Sequence, residues 1–306
     1  MNTLGERLDI WLASKKREVK LSTWLDYENA IRSRIKPGLG RLPLDQVTPR
    51  MVREWVAGLT CGNKRVNNLL IPLRAVLKEA FLDEEIDRDL AGRIRNLKVI
   101  KEEPEPLSAN ELKRVLGAAA WEPRLKAFFQ FAAWTGLRTG EQIALRWEDV
   151  DLVAGYIFIR RSKTRGEISD PKTAAGQRRL LLLPPAREAL KLIEPFTRLM
   201  RGEVFHDPKT SAPWTSDAPI RRVWRQLLKN ASVSYRSPYH TRHTFASMLL
   251  SAGENPMWVA QQMGHRDWGM IRMRYGRWLQ DSDPDAGKRA VRLWENAMNQ
   301  RRSLLR

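Results

Sequence analysis

The side chains with the most chemistry to offer crowd into one stretch, Tyr239 to Tyr275, which reads YHTRHTFASMLLSAGENPMWVAQQMGHRDWGMIRMRY. Three of the chain's four histidines (His240, His243 and His265) fall within it, with Arg242 among them and Tyr275 at its end. Arginine is a permanent cation whose planar fork of donors suits an oxyanion. Histidine exchanges protons near neutral pH. A tyrosine hydroxyl attacks only when a base or a cationic neighbourhood helps it lose its proton. Together these groups could hold an anion, donate to it and attack it, provided they meet.

The local signals say which elements must bring them together. Ser237 and Pro238 suit an N-cap and a first helical position. Phe245, Met248, Leu249 and Ala252 then repeat at helical spacing, and Gly253 closes the helix. Asn255-Pro256 opens a second helix that Gly264 ends, which leaves His265 at a helix C-terminus. Asp267 can cap a third, short helix carrying Tyr275. Arg242, His265 and Tyr275 reach one point only if these three helices fold back on each other.

The order of these residues resembles the C-terminal half of the tyrosine recombinases, or phage integrases. That family's pattern is His-x-x-Arg-His-Thr, then Leu-Gly-His, then a tyrosine about one helix later. Here it runs Arg242-His243-Thr244, Met263-Gly264-His265 and Tyr275. The other half of the pattern is an arginine in a Thr-Gly-Leu-Arg-x-Gly-Glu turn, matched by Thr135-Gly136-Leu137-Arg138-Thr139-Gly140-Glu141. Taken alone, Arg138 reads as a surface arginine on a turn, Tyr275 as a half-buried packing residue and His243 as structural. Both halves in the right order carry the resemblance.

The resemblance implies roles. Attack on a phosphodiester spreads negative charge over the non-bridging oxygens, and Arg138 and Arg242 would answer it bidentately. His265 would add a donor hydrogen bond. Removing one preorganised donor of this kind costs on the order of 3–4 kcal/mol of transition-state stabilisation. Tyr275 would be the nucleophile, giving a 3′-phosphotyrosyl link and a free 5′-hydroxyl. The family carries a catalytic lysine in a β-hairpin, where two Lys-Thr pairs compete. Lys172, which precedes Arg178-Arg179, fits better than Lys163 and would protonate the leaving 5′-oxygen; Lys163 would then contact phosphate. No cofactor, metal or ATP is implied. One departure bears on the base for Tyr275. The family's histidine or lysine three residues before the second arginine is Tyr239 here, and His240 lies one position later, about 100° round a helix. His240 serves only if the backbone there is irregular.

Composition agrees with a polyanion partner. The 306 residues carry a formal net charge of +19. Residues 1–106 hold 20 Lys+Arg against 16 Asp+Glu, net +4, so the remaining 34 against 19, net +15, make the C-terminal part the main cationic body. Cys61 is the only cysteine, which excludes an intrachain disulfide and fits a reducing cytoplasm. Neither a long apolar run nor a signal peptide is present, which argues against a membrane partner. The partners implied by the resemblance are double-stranded DNA, further copies of the chain (a tetramer on paired sites) and accessory DNA-bending proteins. Binding should lose several log units between roughly 50 and 200 mM salt if six to ten phosphates are neutralised.

The chain in order predicts a mostly α protein with a small β-sheet (α+β). Residues 1–101 read as four or five helices: 3–14, 22–35 stopped by Pro37-Gly38, 49–59, and a long helix from Asn63 to Leu82 that Pro72 should bend or split. The acidic run from Glu79 to Asp89 reads as a solvated helix end in preference to a metal site. The resemblance makes this region a core-binding DNA clamp. Residues 102–106, with two prolines, form a linker. Residues 107–283 form the catalytic domain. It has a capping box at Ser108 and Glu111, another at Thr139 and Gln142, strands at 156–160 and 179–183 around a long polar loop, and helices at 185–200 and 216–231. His206 reads as structural. Residues 284–306 form a helical tail that either packs on its own chain or docks on a neighbouring copy. Many phage integrases carry a further N-terminal arm-binding domain, and this sequence begins at the core-binding helix.

The expected function is therefore that of a site-specific DNA recombinase acting in integration or excision of a mobile element. Alternatives are a dimer-resolving recombinase, a type IB topoisomerase, a metal-dependent transposase, and a catalytically weak DNA-binding regulator.

Overall fold

The chain divides into two segments, residues 1–102 with one hydrophobic core and residues 103–306 with a large core and a smaller one around Phe245 and Tyr275. The computed structural model describes residues 2–100, 103–169, 176–265 and 267–279, and beyond them only 288, 291, 292 and 294. Most of the tail expected at 284–306 lies outside the described residues.

In the first segment Thr3 caps α1 (Leu4–Glu18) through a reciprocal pair with Glu6. Leu4, Leu8, Trp11 and Leu12 face the core, as the helical spacing predicts. Next come α2 (Leu21–Ala30), a π-helical turn at Ile31–Ile35 and α3 (Lys36–Leu39). The expected stop at Pro37-Gly38 is displaced to Gly40. The proline sits in the first turn of α3, directly after the wide turn, where a missing N–H costs nothing. After α4 (Pro49–Ala57), α5 runs unbroken from Asn63 to Leu82 with Pro72 inside it. Interior proline costs roughly 3 kcal/mol. Leu69, Leu70, Leu73, Val76 and Leu77 are each almost fully buried on the same helix. At about 1.5–3 kcal/mol apiece they outweigh that loss. The acidic run from the end of α5 onward is largely exposed and carries ion pairs: Asp83 with Arg7 at 2.5 Å, Glu79 with Lys15 at 3.1 Å and Asp89 with Lys78 at 2.8 Å.

The second segment opens on α6 (Ala109–Ala118), capped by Ser108 and Glu111. The buried α7 (Pro123–Thr135) ends at Gly136, which adopts φ +62°. A short α8 (Thr139–Ile143) follows. Its cap is one residue earlier than expected: Arg138 N–H donates to Glu141, while Gln142 instead donates to the Phe128 carbonyl at 2.7 Å in the core. The sheet is antiparallel, with β1 (Val150–Asp151) beside β2 (Tyr156–Ile159) and β2 beside β5 (Arg178–Leu181), in the register Ile157 opposite Leu180. The polar loop between β2 and β5 contains a hairpin of β3 (Ser162–Thr164) and β4 (Glu167–Ser169). Its two-residue turn has positive φ at both Arg165 (52°) and Gly166 (86°), the hand that matches strand twist. Three-residue polar strands leave no alternating pattern, which is why sequence reasoning missed them. Helices α9 (Pro184–Thr197), α10 (Asp217–Asn230), α11 (His240–Ser251), α12 (Pro256–Met263) and α13 (Gly269–Tyr275) complete it. Among the described residues no helix is long and apolar enough to cross a membrane.

Candidate active site

Two helices end in left-handed glycines, and the site is built on that fact. Gly136 closes α7 at φ +62° and Gly264 closes α12 at φ +68°. The last carbonyls of a helix lack partners and carry partial negative charge. Here they turn toward Arg242. Its Nη1 donates to the Gly136 carbonyl at 2.6 Å and its Nη2 to the Met263 carbonyl at 2.8 Å. Arg242 is 1% exposed, so helix-end carbonyls take the place of water around a buried cation. Neither glycine tolerates a side chain. A Cβ on Gly136 would lie 2.4 Å from the Phe245 ring, and one on Gly264 would lie 2.7 Å from the Arg178 guanidinium.

The same two turns deliver the next functional groups. His265 follows Gly264, and its Nε2 lies 3.1 Å from Arg242 Nη2. A guanidinium only donates, so the imidazole accepts here and carries its proton on Nδ1. Burial, with the charges of Arg242, Arg138 and Arg178, lowers the His265 pKa to about 4, so at neutral pH the ring is uncharged. Arg138 follows Gly136 by two residues and donates through Nη1 to Glu141 at 2.6 Å.

Glu141 is 2% exposed and is shared. Arg178 donates to it through Nη2 at 3.1 Å and also reaches the Gln262 carbonyl at 2.8 Å through Nε. Burial alone would raise the Glu141 carboxyl. The neighbouring Arg178 and Arg138 outweigh burial and hold it below the usual range. Arg178 is thus a positioning residue that sequence reasoning used only to register the hairpin. It ties β5 to α8 and to the end of α12. Around Glu141 stand three guanidiniums, Arg138, Arg178 and Arg242, and burial together with the first two lowers the third. Among the described residues, the buried Arg242 Nε has no hydrogen-bond partner. The cluster carries more positive charge than one carboxylate balances, and one of its donors is unsatisfied.

Tyr275 lies on α13 and is 3% exposed, packed with Phe245, Ile271, Met263 and Val259. Its hydroxyl is 2.7 Å from His243 Nδ1. Burial raises the phenol well above its ordinary pKa, only partly countered by Arg242 and Arg274. His240 starts α11 two residues later than Ser237-Pro238 predicted. Pro238 and Tyr239 form an irregular turn before the helix. That irregularity does not bring His240 to the tyrosine: its Nδ1 is 3.1 Å from Ser237 Oγ and 3.2 Å from the Ser237 carbonyl. The structure therefore brings Arg138, Arg242 and His265 together and sets Tyr275 against His243. Sequence reasoning passed over His243 as structural. The signal available was its place four residues after Tyr239, on the same helix face.

Of the two lysines, Lys172 lies outside the described residues. Lys163, expected to contact phosphate, is instead buried on β3 with Nζ 3.0 Å from Glu203. Burial of the β3 register turns this side chain inward, onto a carboxylate brought by the loop after α9. His206 is buried and bonds the Ser211 carbonyl through Nδ1 at 3.0 Å, a structural place.

A helical scaffold thus carries a buried arginine cluster, with a tyrosine hydrogen-bonded to the histidine that follows Arg242 in the chain. Comparison with solved structures gives the fold. The Tn1549 transposon integrase in complex with a circular intermediate DNA superimposes with a TM-score of 0.75 at 19% identity, covering 96% of this chain and 100% of that one. A lambda integrase tetramer bound to a Holliday junction gives 0.73 at 18% identity, covering 91% and 78%. The sequence profile of the phage integrase family matches residues 105–280, and that of a phage integrase N-terminal SAM-like domain matches residues 3–60. The prophage integrase IntR of Escherichia coli K12 is 29% identical over 93% of this chain and 78% of its own length. The chain belongs to the phage integrase family and is a tyrosine recombinase.

Proposed function

We propose that the chain performs site-specific recombination by cutting duplex DNA through Tyr275 and rejoining it to a new end. The observation that carries this reading is the over-cationic pocket around Arg242, with its unpartnered buried Nε, built beside a tyrosine already hydrogen-bonded to a neutral imidazole. Fixed positive charge in excess of its counter-charge stabilises the charge that develops on a phosphodiester under attack.

In this reading Tyr275 Oη forms a bond to phosphorus and the bond to the 5′-oxygen breaks. Arg138 and Arg242 hold the non-bridging oxygens, and His265 donates through the ring nitrogen that keeps its proton. Lys172 gives a proton to the departing 5′-oxygen. Its rival Lys163 is already committed to Glu203, which supports that choice. The 3′-phosphotyrosyl link conserves the energy of the broken bond, so a second 5′-hydroxyl can reverse the step without ATP. His240, turned to Ser237, takes a supporting place beside His243. The helical segment 1–101 acts as the core-binding domain, where exposed Lys64 and Arg65 at the start of α5 suit phosphate contacts. The working assembly is a tetramer on paired sites, assisted by DNA-bending proteins, in the cytoplasm of a bacterial host. Integration or excision of a mobile element is its role.

The test is trapping on a nicked duplex carrying the junction sequence of the host element, without metal or ATP. Loss of the nicked fragment prevents rejoining, so a covalent protein–DNA band accumulates. The expected result is a band with the unaltered chain and none with Tyr275→Phe. Tight, salt-sensitive binding with no band from either would overturn catalysis and leave a DNA-binding regulator.

A further inference from the structure

We propose that His243 is the general base for Tyr275, accepting the phenolic proton at Nδ1 as the oxygen attacks. The inference rests on Tyr275 being the nucleophile.

The geometry supports it from three sides. First, the pair is already in place: Tyr275 Oη and His243 Nδ1 are 2.7 Å apart, both side chains buried. A general base must lie within hydrogen-bond reach of the proton it takes, and this one does before any DNA arrives. Second, the other histidines are engaged elsewhere. His240 Nδ1 faces Ser237, His265 Nε2 accepts from Arg242, and His206 Nδ1 bonds Ser211. The cations Arg242 and Arg274 have no lone pair to offer. Third, the position expected to supply a base holds Tyr239, whose ring is 44% exposed and packs edge-on to His243 at 5.1 Å. Positions 239 and 243 lie one helical turn apart on the same face. The base has moved one turn along α11.

Proton bookkeeping closes. With the Nε2–H tautomer, Nδ1 presents a lone pair to the Tyr275 hydroxyl. As the oxygen–phosphorus bond forms, the O–H pair stays on oxygen and the proton passes to Nδ1. As the phosphorus–5′-oxygen bond breaks, the leaving oxygen takes a proton from the general acid. Rejoining runs in reverse: the imidazolium returns its proton to the departing phenolate. The groups facing His243 are Tyr239 in the turn before α11, His240 and Arg242 on α11, and Arg274 and Tyr275 on α13. Burial comes first, then His240, Arg274 and Arg242, in lowering its pKa to about 4, so the ring is free to accept at neutral pH. An incoming phosphodiester brings a negative charge that offsets the two arginines and favours the imidazolium.

The experiment is single-turnover trapping on the nicked duplex between pH 5 and 9, with DNA affinity measured in parallel. The variants are His243→Ala, His243→Gln and Tyr275→Phe. Glutamine keeps a hydrogen bond to the tyrosine but takes no proton. The expected result is that both His243 variants bind DNA normally and lose on the order of 10²–10⁴-fold in trapping rate. Their rates then climb with pH where the unaltered enzyme is flat, and added imidazole restores part of the loss in His243→Ala. A duplex whose leaving oxygen is replaced by sulfur needs no acid, so it leaves the loss in place. Rescue by glutamine makes His243 a purely structural partner and overturns the proposal. Rescue by the sulfur leaving group makes it the acid and also overturns it. Trapping that survives in Tyr275→Phe overturns the reading beneath it, whereas an inactive Tyr275→Phe beside a fully active His243→Ala overturns the base assignment alone.

Discussion

The two cores treat buried charge in opposite ways. In the helical segment Arg7 pairs with Asp83, Lys15 with Glu79, Lys36 with Asp9 and Lys78 with Asp89, while half-buried Arg74 bonds Asn96 and the Ile94 carbonyl. Those pairs tie helix ends down and leave little field behind. Around Arg242 the ratio is inverted: two guanidiniums, Arg138 and Arg178, share Glu141, and the third, Arg242, is held by helix-end carbonyls. A protein gains nothing in stability from that surplus. Balanced charge marks structure, and unbalanced charge held by rigid elements marks the place where an anion belongs.

The sharpest way to break this contrast is Arg242→Lys. Lysine keeps the charge but cannot span two carbonyls and an oxyanion at once. We expect trapping to fall by about 10²–10³-fold. The DNA-free protein should also lose about 1–3 kcal/mol, since two buried carbonyls lose their donor. Urea titration beside the trapping assay checks both; full activity would show that charge alone suffices.

Next in size is a paired comparison of carboxylates. Glu141→Gln removes the carboxylate that Arg138 and Arg178 share and should cost about 3–5 kcal/mol, as breaking a buried pair does. High sulfate should restore part of that loss by occupying the cationic site. Asp83→Asn removes a carboxylate whose side chain is 57% exposed, and should cost less than about 1 kcal/mol with no sulfate dependence. Equal costs would erase the distinction between the two regions.

The smallest effect is the pH dependence. His243 and His265 both have folded pKa values of about 4 against an ordinary 6.5. The unfolded chain therefore binds more protons between those values. Their contribution to stability is whole above pH 6.5 and is lost as pH falls toward 4, by less than roughly 1 kcal/mol per unit from each after solvent screening. His243→Gln and His265→Gln should each flatten the decline, read from urea midpoints across that range.

Much of the site was legible because its parts are punctuated locally. Gly136 and Gly264 end helices, and Arg138 and His265 follow them at fixed offsets. What the sequence did not show is why the glycines matter: the carbonyls of Gly136 and of Met263, the residue before Gly264, hold Arg242 from 106 and 21 residues away. The Arg178–Glu141 tie spans 37 residues and carries no local signature. The His243–Tyr275 bond depends on how α11 and α13 pack, and no spacing rule fixes that. In the fold, apolar periodicity found the long helices. It missed the π-helical turn before Pro37 and the polar β3–β4 hairpin, because hydrogen-bond geometry and turn hand set those elements.

The central claim is that Tyr275 becomes covalently joined to DNA inside the arginine cluster. The most direct measurement is the site of attachment: trap the complex on the nicked duplex, digest with trypsin and nuclease, and sequence the nucleotide-bearing peptide by mass spectrometry. Cleavage after Arg274 and Arg277 should release Tyr275-Gly276-Arg277 carrying the 3′-phosphonucleotide on its tyrosine. Attachment at Tyr239, or at any residue outside that peptide, would contradict the account.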